Sequence, residues 1–98
     1  MKSTEEVIEI LREFKRTSAE KYGIEQLALF GSVARGEQTE KSDIDVCVKP
    51  SRAIDYFTLQ DIKEDLEKLF HLKVDLLTLH ENMRRLFRQN IERDAIYI

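Results

Sequence analysis

The sequence predicts an α/β chain of the α+β kind: a small mixed β-sheet with helices packed on it, in a single domain spanning residues 1–98. Three observations carry this. Apolar residues recur at helical spacing in residues 7–14 and 59–70, whereas residues 44–48 and 74–76 alternate with period two. The second helical stretch lies between the two alternating ones and so favours a parallel pair, since parallel neighbours need a long connection. A Gly31-Ser32 turn ends one strand while Asp43 and Asp45 begin the next, and those ends meet only if the two strands run antiparallel.

In chain order, Ser3-Thr4-Glu5-Glu6 reads as a capping box that opens a helix with Val7, Ile10, Leu11 and Phe14 inward and Ser18 on the same face. Gly23 is its stop, because glycine accepts the left-handed conformation common just past a helix end. Leu27-Ala28-Leu29-Phe30 is a buried strand that runs into Gly31-Ser32. Residues 37–41 form an exposed polar loop. Ile44, Val46 and Val48 make the buried face of the next strand, which Pro50 closes because it lacks the N–H a ladder needs. Thr58 caps the crossover helix, whose buried stripe is Leu59, Ile62, Leu66, Leu69 and Phe70. Val74 and Leu76 anchor a third strand. A last helix over residues 80–91 turns Met83, Leu86, Phe87 and Ile91 inward, and the alternating tail at residues 94–98 reads as a short strand.

Sixteen basic and nineteen acidic residues give a net charge of −3, which argues against a protein whose main business is coating nucleic acid. The single cysteine, Cys47, has no partner for an internal disulfide, and no secretory leader or long apolar span stands out. The expectation is a soluble, cytoplasmic protein that does not engage a membrane. With 36% charged and 42% hydrophobic residues, the composition is that of a folded domain.

The chemistry lies in residues 31–48. A helix start offers unpaired N–H groups, glycine lets an anion approach the backbone, and serine adds a hydroxyl, so Gly31-Ser32 suits a phosphate. Strand residues two apart share a face, which places Asp43 and Asp45 side by side. Their carboxylates repel unless a divalent cation intervenes, and hard oxygens suit magnesium, which keeps other positions for water and substrate phosphates. Asp75, between Val74 and Leu76, repeats the pattern. Three acids from two strands could hold two metals, spaced to activate an attacking oxygen and steady a leaving group.

These residues together resemble the nucleotidyltransferases of the DNA polymerase-beta superfamily, and most closely the stand-alone minimal nucleotidyltransferase (MNT) domains. The shared signature is complete as Gly31, Ser32, Arg35, Gly36, Ser42, Asp43 and Asp45, with Asp75 as the third carboxylate. The resemblance implies the polymerase-beta-like fold and two magnesium ions held by Asp43, Asp45 and Asp75. It implies a nucleoside triphosphate, ATP as donor, gripped by Gly31 and Ser32, with Arg35, Gly36 and Ser42 completing the nucleotide-binding segment. Stand-alone MNT domains are typically antitoxins paired with a HEPN-domain toxin, which they can adenylylate on tyrosine. The expected reaction is transfer of AMP from ATP to such a hydroxyl.

Simpler readings stand beside these. Acids alternating with aliphatics are also the wet face of an ordinary surface strand, and the joint pattern decides against that. Arg35 either reaches phosphate or pairs with Glu37 or Asp43. His71 and His80 lack companions at metal-ligand spacing, Cys47 lacks basic neighbours and reads as inert filler, and Arg84, Arg85 and Arg88 form a solvated face or meet a partner. A different class of function, neutralisation of the partner by occlusion with weak or no catalysis, is the alternative; modification of nucleic-acid ends is a distant third. Self-association is left open.

Overall fold

The computed structural model describes residues 2–79, 89 and 93–98. The helix expected over residues 80–91, with His80, Arg84, Arg85 and Arg88, lies almost wholly outside them.

Ser3 caps α1 (Thr4–Tyr22) with both halves of the capping box in place: its hydroxyl accepts from the Glu6 N–H, and the Glu6 carboxylate accepts from the Ser3 N–H. Gly23 ends the helix at φ +72°. Val7, Leu11, Phe14 and Tyr22 face the core, with Ile10 packed at its margin. β1 (Ile24–Phe30) leads into a short α2 (Gly31–Ala34), and β2 (Ile44–Pro50) returns. Then α3 (Tyr56–Phe70) crosses to β3 (Val74–Thr78). The tail forms β4 (Ile96–Tyr97), as its alternation predicts, and is held by Ile98 N–H donating to the Leu27 carbonyl at 2.9 Å.

The sheet order is β3-β2-β1-β4. β1 runs antiparallel to β2 and to β4, and β2 runs parallel to β3. The sheet is therefore mixed, as expected. Register fixes the faces: Leu27 and Leu29 lie opposite Val48 and Val46, and Ile44 opposite Val74, all fully buried. On the other face Phe30 lies opposite Asp45, and Asp45 opposite Asp75. The Tyr22 hydroxyl ties α1 to α3 by donating to Asp65, and burial with that carboxylate beside it pushes the phenol up to about 12.

Two expectations for α3 need correction. The cap is Asp55, whose carboxylate accepts from the Thr58 N–H at 2.7 Å; Thr58 sits inside the first turn. Aspartate is at least as good a cap as threonine, and here it takes the position one turn earlier. Leu69 is 47% exposed, while Ile62, Leu66 and Phe70 are buried. The stripe centres on Leu66: Ile62 and Phe70, four residues away, deviate from it by about 40°, but Leu69 by about 60°. In urea titrations Leu66→Ala is expected to cost about 2–5 kcal/mol, and Leu69→Ala about 0.5 kcal/mol or less. Equal losses would show that the helix is rotated differently.

Candidate active site

The turn at Gly31 and the acid at Asp45 come together because β1 and β2 are antiparallel and register Phe30 against Asp45. Gly31 has φ +75°, and a β-carbon there would overlap Asp45 Oδ2. The glycine is needed on both counts, conformation and space. The parallel pairing of β2 with β3 then sets Asp75 beside Asp45. Asp43 stands just before β2, with Oδ2 3.8 Å from Lys73 Nζ.

Asp45 is the electrostatic centre. Its pKa is raised, first by burial, then by the charges of Asp75 and Asp43 and a hydrogen bond with Asp75, while Arg35 works in the opposite direction. A half-buried carboxylate flanked by two others is unfavourable until a cation or a proton joins it. Among the described residues no three His, Cys, Asp or Glu side chains gather around a single point. The acids form instead a facing pair, Asp45 and Asp75, with Asp43 drawn toward Lys73. Such a pair fits magnesium, which takes one or two protein carboxylates and leaves its remaining positions to water and phosphate.

The other expected site residues divide. The Ser32 hydroxyl makes no hydrogen bond among the described residues, and its carbonyl accepts from Glu37 N–H at 2.9 Å. Arg35 pairs with Glu37 at 3.0 Å, one of the two acids that the sequence offers it, and with Asp94 at 3.1 Å rather than with Asp43. Gly36 ends α2 at φ +72° with open space beside it. The Ser42 hydroxyl accepts from Thr39 N–H at 2.8 Å and so closes the loop. His71 takes the left-handed cap of α3, and Cys47 is buried on the acid face. Sequence reasoning missed Asp94, Lys73 and Thr4, whose hydroxyl donates to the Val33 carbonyl at 2.7 Å and secures α2 to α1. A lone polar residue distant in sequence carries no signal for such contacts.

An acid with a higher pKa folded than unfolded holds its proton better when folded. Its contribution is complete below about pH 4 and is lost as pH rises through the raised value. Metal-free Asp45→Asn should therefore melt above the wild type at pH 7, by a margin that solvent screening of this half-exposed carboxylate keeps small, with the gap closing toward pH 4. A higher-melting wild type at pH 7 would contradict the repulsion. Gly31→Ala should instead destabilise by about 1–3 kcal/mol, and an unchanged melting temperature would mean that Asp45 does not press on the turn.

The family described as polymerase beta, nucleotidyltransferase matches residues 5–98. A relative from Methanocaldococcus jannaschii, provisionally named protein adenylyltransferase MJ0126, is 41% identical over 98 residues, covering 100% of both chains. A solved minimal nucleotidyltransferase, itself provisionally so named, superposes with a TM-score of 0.79 at 28% identity, over 97% of this chain and 95% of that one. A complex of a tri-AMPylated Shewanella oneidensis HEPN toxin with its MNT antitoxin has a chain that superposes at 0.61 and 19% identity, over 96% and 66%, a likeness of fold. With the mixed sheet, the Gly31 turn and the facing acids in place, the chain belongs to the polymerase beta nucleotidyltransferase family.

Proposed function

We propose that this chain is a magnesium-dependent adenylyltransferase that moves AMP from ATP to a tyrosine hydroxyl of a partner HEPN toxin, and so acts as the antitoxin of a cytoplasmic pair. The observation that carries the reading is the meeting of Asp45 and Asp75 beneath the Gly31 turn, in a chain of this family. The name of the Methanocaldococcus relative supports protein as the acceptor class, and the AMPylated toxin in the Shewanella complex supports the kind of partner.

In this reading Asp45 and Asp75 hold magnesium, with Asp43 as the third ligand candidate once it leaves Lys73. A magnesium ion held by these residues would neutralise the triphosphate and the neighbouring carboxylates. Gly31 leaves the backbone open to the terminal phosphates, and the Ser32 hydroxyl, without a hydrogen bond among the described residues, donates to them. Asp75, on the edge strand, faces the incoming hydroxyl and accepts its proton. Catalysis is positioning and charge stabilisation. Arg35 keeps the tail against the turn through Asp94, and from there its charge favours ionised Asp45.

With α-labelled ATP, magnesium and a HEPN toxin, label should appear on the toxin and disappear with EDTA. Asp43→Asn or Asp45→Asn should reduce transfer about 100-fold or more. Full activity in either variant would end this reading.

A further inference from the structure

The acid face has a fourth corner. Parallel register sets Ile44 opposite Val74 and Asp45 opposite Asp75, and one step back along both chains Asp43 meets Lys73. The Ile44 N–H donates to the Lys73 carbonyl at 3.0 Å and fixes that step. Since strand residues two apart share a face, Asp43, Asp45, Asp75 and Lys73 form a square with three negative corners and one positive. Arg35, whose charge also reaches Asp45, is committed to Glu37 and Asp94. Lys73 Nζ stands 3.8 Å from Asp43 Oδ2, too far for a hydrogen bond, so charge alone holds the two together. Both side chains meet water, at 64% and 37% exposure, and such a pair is weak and readily exchanged. An ammonium on a four-carbon stem is a mobile point charge that pairs with carboxylate or with phosphate.

We infer that Lys73 couples the two ligands of this site: it pairs with Asp43 until a divalent cation arrives with a triphosphate, and then passes to a phosphate oxygen. The inference rests on the transferase reading. Against a cation that comes alone, Lys73 competes for Asp43 and, once displaced, repels the ion from close by. Against a cation that comes with a triphosphate, the displaced ammonium finds an oxyanion, and no charge is left without a partner. Lys73 therefore weakens binding of the bare metal and strengthens binding of the metal with nucleotide. By linkage, each ligand then raises the affinity for the other. Three carboxylates without the lysine would lower their mutual repulsion by taking up any divalent cation, with or without substrate. The lysine makes the square selective for the loaded nucleotide.

Two binding titrations test this, neither of which needs turnover. Affinity for manganese alone is read from the paramagnetic resonance of the unbound ion, and affinity for AMP-PNP in excess manganese from calorimetry. Lys73→Gln should bind manganese alone about threefold tighter and manganese with AMP-PNP about threefold weaker, the scale of an exposed ion pair. Its preference for loaded nucleotide over bare ion should thus fall about tenfold. Lys73→Arg, which keeps the charge, should retain most of that preference. Unchanged affinities in Lys73→Gln, a change in only one of them, or a shift of both in the same direction would each overturn the coupling. A side chain that merely supports the fold has no reason to move the two oppositely. A Lys73→Arg variant that behaves as Lys73→Gln does would overturn it as well. A wild type that fails to bind AMP-PNP in excess manganese would instead overturn the transferase reading beneath it.

Discussion

The molecule is organised around the contact between Asp45 and Gly31. A carboxylate lies where any other residue at position 31 would place a side chain, so acid and turn are held together by the absence of an atom. Antiparallel pairing of β1 with β2 brings the two together, and parallel pairing of β2 with β3 adds Asp75 on the same face. Neither pairing can slip by one residue, because the opposite sides of the same strands carry Leu27, Leu29, Ile44, Val46, Val48 and Val74 in the core. Burial of aliphatic side chains on one face thus fixes the position of the charges on the other.

That arrangement places folding and function in opposition. Burial, with the charges of Asp75 and Asp43 added to it, raises the pKa of Asp45 and works against the folded state at neutral pH. A cation bound there would relieve the opposition, as expected of a site that receives charge rather than of a stabilising network. Arg35 relieves a part of it from a distance while committed to Glu37 and Asp94.

Much of this was legible in the sequence because the deciding signals are local. The capping box at Ser3 and Glu6, the stop at Gly23, the alternation around Asp45 and the helical crossover before Asp75 each involve neighbours within a few residues, and together they gave the mixed sheet. The α3 boundary was misread because Asp55 and Thr58 are both good caps, and only the preceding backbone decides between them. Leu69 was misread because a stripe is graded at its margins, where the partner helix decides what is covered. The commitment of Arg35 to Asp94 spans most of the chain, and no periodicity reports it. Ser42 matched the signature, yet its hydroxyl is engaged by Thr39, a contact that depends on the path of the loop.

The central claim is that Asp45 and Asp75 form one cation site opposite the Gly31 turn. The most direct measurement is anomalous scattering from crystals grown with manganese and AMP-PNP. The account requires a manganese peak between the Asp45 and Asp75 carboxylates, with the terminal phosphates against Gly31 and the Ser32 hydroxyl. A peak elsewhere, or a triphosphate bound away from that turn, would contradict it.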